Sequence, residues 1–149
     1  GDWSSDVCSS DLRLGLSPPP EGGWYRETWR APAEEGGRSP GTAIHFLLEE
    51  GQKSHWHRVD ATEIWLWHSG SPLWLSLAPG DEGPVSRQLL GPGRSDAEAP
   101  QMIVPAHHWQ AAHANDGWAL VSCIVVPGFT FSGFELAPPS WAPGLGKGR

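Results

Sequence analysis

The segment from Ser54 to Gly70, SHWHRVDATEIWLWHSG, contains the residue types in this sequence that are best suited to chemistry. His55 and His57 are separated by a single residue, and Glu63 follows six positions after the second histidine. Alternate side chains of a strand point to the same face, so the two histidines are predicted to share one. A turn over residues 58–62 would fold a second strand back beside the first, so that Glu63 could converge with both imidazoles.

Three interpretations of this segment are open. Two imidazoles and a carboxylate are ligands that Zn, Fe, Mn and Ni accept, so His55, His57 and Glu63 could bind a divalent metal. Without a metal, His57 and Glu63 could transfer protons, because histidine titrates near neutrality and burial raises the pKa of a carboxyl group toward that range. The simplest alternative is a buried strand pair in which one histidine is merely hydrogen-bonded.

Residues near this segment are candidates for binding a ligand. Trp65 and Trp67 share the predicted face of Glu63, so they are expected to line a pocket and to stack on a sugar or another ring. In WYRETWR (24–30), Arg26 and Glu27 lie on opposite faces of a predicted strand, and only one of them can point inward. A buried arginine requires an anion, which makes Arg26 a candidate ligand-binding residue.

The elements that must position these residues are short strands. The chain has 19 glycines, 15 prolines and only 18% charged residues, a composition typical of many turns. The segment Asn115–Gly117 is a hairpin signal, and no window keeps helical periodicity for more than a turn or two. Chains of about ten short strands close into a sandwich or barrel, because open edges aggregate. The sequence therefore predicts an all-β fold.

Composition also limits the partners and the location. The net charge is −7, and the basic residues cluster only at Lys147 and Arg149, which argues against nucleic acid and anionic membranes as partners. There is no apolar run of about 18 residues and no secretory signal, so we expect no membrane span and a cytoplasmic location. At 149 residues, a single domain is expected.

The first twelve residues are expected to lie outside the folded domain. Residues 2–12, DWSSDVCSSDL, back-translate to a sequence that looks like a common sequencing-library adapter, so we interpret residues 1–12 as an artefactual or disordered leader. Removing them leaves Cys123 as the only cysteine, which excludes an intramolecular disulfide in the remainder. The predicted organisation is a leader (1–12), one domain (13–139) and a Pro/Gly-rich tail (140–149).

Two motifs resemble those of the cupin superfamily. The first, G…HxH…E…G, is matched by Gly51, His55, His57, Glu63 and Gly70. The second, PxGxxH, is matched by PAHHWQ (105–110), in which His107 replaces the glycine and Gln110 replaces the third histidine. More specifically, four longer segments resemble the domain-of-unknown-function 985 branch, also called Cupin_5; these segments are PEGGWYRETWR, WHRVDATEIWLWHSG, PQMIVPAHHWQAA and CIVVPGFTFSGFELAP.

This resemblance implies a double-stranded β-helix, or jelly-roll barrel, with a small-molecule cavity, and often a dimer. The third histidine of cupins completes the metal ligands, so the resemblance implies Gln110 as a weaker fourth ligand beside His55, His57 and Glu63. His108 shares the predicted face of Gln110 and could substitute for it. Placing the apolar strand TAIHFLL on the outer face also favours a homodimer, since that face would need covering.

The function implied by the resemblance is an enzyme or a binding protein. Some metal-free cupins epimerise or isomerise sugars, which by analogy suggests an isomerase, epimerase or lyase that uses His57 and Glu63 on a small polar, sugar-like substrate. A protein that binds a small ligand without turnover, or a metal-dependent cupin enzyme, would need the same kind of cavity. The sequence does not separate these alternatives.

Overall fold

The computed structural model describes residues 14–145. The predicted leader (1–12) and the last residues of the predicted tail (146–149) lie outside this range. Within it, the chain forms eleven strands and one short 3-10 helix, and no helix is long and apolar enough to cross a membrane. The predicted all-β class is confirmed.

The strands are short and follow one another through turns. Their bounds are β1 (Trp24–Arg30), β2 (Thr42–Leu48), β3 (Lys53–Val59), β4 (Thr62–Gly70), β5 (Leu73–Ala78), β6 (Ser86–Leu90), β7 (Glu98–Ala99), β8 (Gln101–Val104), β9 (Trp109–His113), β10 (Ala119–Val126) and β11 (Phe134–Leu136). The 3-10 helix, Phe131–Gly133, precedes β11.

These strands form two sheets. The first has the order β1-β2-β10-β4-β8 and the second the order β11-β3-β9-β5-β6-β7. All pairings are antiparallel except that of β6 with β7. Since both sheets contain strands from each half of the sequence, neither half can form its sheet alone.

The core lies between the two sheets. In β10, alternate residues are buried, which is the pattern of a strand with one face on a core. The first sheet contributes Phe46, Trp65 and Val121, and the second contributes Leu75 and Ala112. The rings of Phe46 and Trp65 meet edge to face at 5.8 Å. These side chains fill one part of the space between the sheets, and the polar residues His57 and Glu63 lie beside it.

A β-bulge in β3 changes which of its side chains face the interior. Ser54 pairs with Ala112, whereas His57, three residues later, pairs with Gln110, only two residues away on β9. The extra residue reverses the alternation, so that Ser54 and His57 are both buried. His55 is consequently turned away from the face that His57 occupies.

A second bulge lies in β1. Glu27 pairs with Ile44, and Trp29 pairs with the adjacent residue Ala43, so one residue of β1 is extra. Paired residues of antiparallel strands share a face. The bulge therefore leaves Glu27 on the inner face and places Trp29 on the outer face.

The outer face of the second sheet is covered by the end of the chain. Trp109 is buried against Trp141, with ring centroids 4.5 Å apart, and the amide of Ala137 donates to the Trp56 carbonyl at 3.0 Å. The indole of Trp109 also donates to Asp81 at 2.8 Å. Trp56 and Trp109 therefore face away from the barrel interior, but this segment shields them from water.

Candidate functional site

A cavity of about 470 Å³ opens between the two sheets. Strands β1, β2, β3, β4, β10 and β11 line it, together with the segment before β1 and the segment after β10. It combines ionisable and hydroxyl groups with an apolar and aromatic wall, and its lining residues are Pro19, Pro20, Glu21, Tyr25, Glu27, Arg30, Thr42, Ile44, His57, Val59, Glu63, Val125, Phe129, Thr130, Phe131 and Phe134. Concave sites of this composition and size are typical of small-molecule binding.

His57 is held by the backbone of its own strand. It is 4% exposed, and its Nδ1 donates to the carbonyl of His55 at 2.7 Å. In the neutral imidazole this places the proton on Nδ1 and the basic lone pair on Nε2. Burial lowers the pKa of His57 and Glu63 opposes that effect, which favours the neutral ring at physiological pH.

Glu63 belongs to a chain of buried hydrogen bonds. It is 6% exposed and accepts from Nε2 of Gln110 at 3.0 Å, while Oε1 of Gln110 accepts from the indole of Trp65 at 2.9 Å. Burial raises the pKa of Glu63, against the lowering effects of His57, Gln110 and the thiol of Cys123. A buried carboxyl group of this kind can hold a proton that it donates to a bound molecule.

Glu21 is a further ionisable group of the cavity that was not predicted from the sequence. Burial raises its pKa from 4.5 to about 6. Its carbonyl accepts from the amide of His55 at 2.7 Å, which fixes this segment to β3. Gly22 follows with φ 109°, and a Cβ there would come within 2.3 Å of the Lys53 carbonyl. The sequence feature that could have indicated Glu21 is the segment EGG, in which the glutamate is followed by two glycines that allow close backbone contact.

Glu27 and Arg30 form an ion pair in the lining of the cavity. Arg30 Nη2 lies 2.6 Å from a Glu27 oxygen, and it also donates to the Phe129 carbonyl at 3.2 Å. The bulge of β1 makes this arrangement possible, because the two residues are three apart and would face opposite sides of a regular strand. Arg30 is therefore already neutralised by a carboxylate.

Arg26 is not part of the cavity, contrary to the sequence prediction. It is exposed on the opposite face of β1 and donates to the carbonyl of Leu14 at 3.2 Å. Only one of Arg26 and Glu27 could point inward, and it is Glu27. The reason is register, because Glu27 lies opposite the inward-facing Ile44, whereas Arg26 lies opposite His45.

Neither tryptophan that was predicted to form the pocket wall lines the cavity. Trp65 is 2% exposed and belongs to the packed core, and the indole of Trp67 donates to the Ser71 carbonyl at 3.0 Å. Both share the inner face of Glu63 as predicted, but they lie further along β4, where the barrel is filled with side chains.

The aromatic wall comes instead from the segment after β10 and from β11. The ring centroid of Phe129 lies 5.1 Å from that of Phe131 and 5.9 Å from that of Phe134. The ring of Phe134 also lies 5.6 Å from the imidazole of His57. These three phenylalanines provide the rings that were expected from Trp65 and Trp67.

The predicted metal ligands are not brought together. His55 donates from Nε2 to the Pro138 carbonyl at 2.8 Å, outside the cavity, because the bulge turns it away from His57. Gln110 is inward and 1% exposed, but its oxygen already accepts from Trp65. His108 does not line the cavity either. Among residues 14–145, no three His, Cys, Asp or Glu side chains are grouped so as to hold a metal ion.

The chain is similar to proteins of known structure. The Cupin_5 family model, described as cupin superfamily (DUF985), matches residues 12–137. A hypothetical protein from Leishmania major is 32% identical, with a TM-score of 0.78 over 88% of this chain and 86% of that one. A protein from Shewanella oneidensis is 37% identical, with a TM-score of 0.80 over 87% of this chain and 82% of that one.

More distant similarity shows the fold alone. Oxalate decarboxylase from Bacillus subtilis is 13% identical, with a TM-score of 0.62 over 80% of this chain and 29% of that one. No curated protein matches the sequence at a significant level. The two sheets therefore form the barrel predicted from the motifs.

Proposed function

Because this chain belongs to the Cupin_5 (DUF985) family of the cupin superfamily, we propose that it is an isomerase that transfers protons on a small polar, sugar-like molecule in the cavity. His57 acts as the base and Glu63 as the acid. The observation that carries this proposal is the pairing of these two buried groups in one cavity. Their pKa values are displaced in opposite directions, toward a neutral imidazole and a protonated carboxyl group.

The reaction that fits this pair is isomerisation of a hydroxycarbonyl compound. Nε2 of His57 removes the proton from the carbon next to the carbonyl group, and the electron pair of the C–H bond moves through the new C=C bond to the carbonyl oxygen. Glu63 donates its proton to that oxygen, which gives an enediol. Return of the proton from His57 to the neighbouring carbon, and of a hydroxyl proton to Glu63, completes the shift and restores both residues.

Proton exchange in D₂O tests this proposal on a range of candidate substrates at once. The protein would be incubated with a panel of small hydroxyaldehydes and hydroxyketones, and deuterium at carbon would be followed by NMR. We expect His57→Gln and Glu63→Gln each to lower exchange by at least about 100-fold, the scale of general acid–base catalysis. His113→Gln, on β9 and outside the cavity, is the matched control. Exchange that persists in His57→Gln would contradict the proposal.

Binding without turnover is the alternative, since a ligand-binding protein would use the same cavity. Thermal stabilisation by members of the panel, with no deuterium incorporation or isomer formed, would favour it. A metal-dependent reaction is the less supported alternative, because His57 and Glu63 are the only predicted metal ligands that line the described cavity. Elemental analysis of protein purified without chelator tests for Zn, Fe, Mn or Ni.

We also propose a cytoplasmic homodimer. An apolar row crosses the outer face of the first sheet through five strand-paired residues, Trp29, Ala43, Ile124, Ile64 and Ile103. Trp29 is 56% exposed and Ile103 57% exposed at the two ends. A row of five strands spans roughly 19 Å, and it can pair with the same row of a second copy across a two-fold axis.

Sedimentation tests the dimer. Ile103→Glu places a charge in the row and should give a monomer at micromolar concentration, whereas Val85→Glu, an exposed control outside the row, should not. A wild-type protein that sediments as a monomer would overturn the proposal. A cytoplasmic location is consistent with the buried free thiol of Cys123, since reduced cysteines are usual in that compartment.

A further inference from the structure

The three carboxyl groups that line the cavity differ in whether a neighbouring side chain balances or binds them. Of the three carboxylates, Glu27 is paired with Arg30, and Glu63 is held by Gln110. Glu21 has no lysine or arginine partner among the ion pairs of residues 14–145. Glu21 is partly buried, and an ionised carboxylate that is partly removed from water without a cation is costly, so proteins usually provide it with a partner.

Among the residues that the structure describes, the lining of the cavity offers no unpaired lysine or arginine to an anionic ligand. Arg30 is the only lysine or arginine in the described lining, and its charge is paired with Glu27, which accepts from Nε and Nη2, while Nη2 also donates to the Phe129 carbonyl. His57 is favoured in its neutral form by burial. A phosphate or carboxylate ligand would therefore meet Glu21 and Glu63 without a compensating cation.

We propose that the ligand carries a protonated amine and that Glu21 is the residue that binds it. This inference rests on the proposed function of the same cavity and specifies its substrate class, an amine-bearing hydroxycarbonyl compound. The ammonium group supplies the missing countercharge of Glu21. Glu63, whose pKa is also raised by burial and which is held by Gln110, remains the acid.

The rest of the lining suits such a molecule. Tyr25 and the three phenylalanines Phe129, Phe131 and Phe134 surround the cavity with aromatic rings. Aromatic rings attract organic cations as well as packing on hydrocarbon, and this attraction is stronger in a site shielded from water. The hydroxyls of Thr42 and Thr130 also line the cavity; each accepts from a backbone amide, that of Phe129 and that of Gly133, and keeps its own proton as a donor for the polar groups of a sugar-like skeleton.

Matched probe molecules test the charge preference. Three skeletons, phenylethyl, cyclohexylmethyl and butyl, would each be used as the amine, the alcohol and the carboxylate, and binding would be measured by titration calorimetry at pH 7.5. We expect the amine of at least one skeleton to bind at least about tenfold more tightly than its alcohol, and the carboxylates to bind worst, since tenfold corresponds to about 1.4 kcal/mol.

The variants assign this preference to Glu21. Glu21→Gln should remove the advantage of the amine over the alcohol, whereas Glu50→Gln, an exposed carboxylate outside the cavity, should retain it. Equal binding of amine and alcohol in the wild-type protein, tighter binding of a carboxylate, no binding by any amine, or an amine preference that survives in Glu21→Gln would each overturn the proposal.

Failure of this inference and failure of the proposed function have different signatures. Deuterium exchange on neutral hydroxyaldehydes without an amine preference would remove the amine-binding role of Glu21 and leave the proton-transfer function. A Glu21-dependent amine preference without exchange on amine-bearing or neutral hydroxycarbonyl compounds would retain the amine site and remove the isomerase.

Discussion

Glu21 allows a quantitative test of the cavity that needs no ligand. Burial raises its pKa from 4.5 to about 6, so the folded protein holds this proton more tightly than the unfolded chain does. Between these two values the folded state binds more protons, and the free energy of unfolding therefore falls as the pH rises. Well above pH 6 the free energy of unfolding falls no further, because Glu21 is then ionised in both the folded and the unfolded state.

The magnitude follows from the displacement of the pKa. A rise of about 1.5 in pKa corresponds to about 2 kcal/mol. Glu21→Gln removes the ionisation. The free energy of unfolding of the variant, relative to that of the wild-type protein, should therefore be about 2 kcal/mol higher at pH 8 than at pH 4. In a chain of this length, this corresponds to a melting temperature of the variant that rises by about 4–8 °C relative to that of the wild-type protein over the same pH range. The substituted amide also changes the stability by an amount that does not depend on pH. This amount cancels when the two pH values are compared.

Denaturant titrations of both proteins at pH 4, 5, 6, 7 and 8 give the required curves. The surface variant Glu50→Gln is the control, and we expect less than half of the effect for it. A difference between wild type and Glu21→Gln that is flat across pH, or that falls as the pH rises, would refute the argument that Glu21 ionises in a desolvated site.

Three further outcomes are expected. Gln110→Leu should lower the free energy of unfolding by about 1–3 kcal/mol, because it leaves the indole N–H of Trp65 without a buried partner and removes one hydrogen bond from Glu63; denaturant titration measures it. His107→Gly should raise that free energy by about 1 kcal/mol, because His107 has a φ of 68° that glycine adopts without strain, and unchanged stability would contradict this. The acid limb of kcat/KM against pH should have a midpoint below 6.5, since burial lowers the pKa of His57, and a midpoint above 6.5 would exclude that ring as the base.

The fold could be predicted because its signals are local and repeated. Alternation of apolar residues, as in β10, and turn residues between short segments predicted the strands, and the two motifs indicated the barrel. His57 and Glu63 were identified from their residue types and from their positions in the first motif, and both side chains do face the interior. The positive φ of His107 agrees with the glycine that it replaces in the second motif.

The rest of the site depends on single-residue irregularities that alternation cannot reveal. One extra residue in β3 turns His55 away from His57, and one in β1 brings Glu27 and Arg30 to the same side. Neither bulge is marked by a glycine or proline in its strand. Glu21 was not predicted, for another reason. It lies in a turn before β1, and the position of that turn is set by a hydrogen bond to β3, which is distant in the sequence.

Gln110 shows how one substitution can change the chemistry of a motif position in a barrel. Its two neighbours are Trp65, whose indole can only donate, and Glu63. The amide therefore turns its oxygen to Trp65 and its N–H to Glu63, and its oxygen already accepts a hydrogen bond inside the barrel. The N–H engages Oε1 of Glu63, and the thiol of Cys123 also hydrogen-bonds to this carboxyl group. Where a histidine would offer a lone pair to a metal, this glutamine instead donates a hydrogen bond that holds the carboxyl group proposed as the acid.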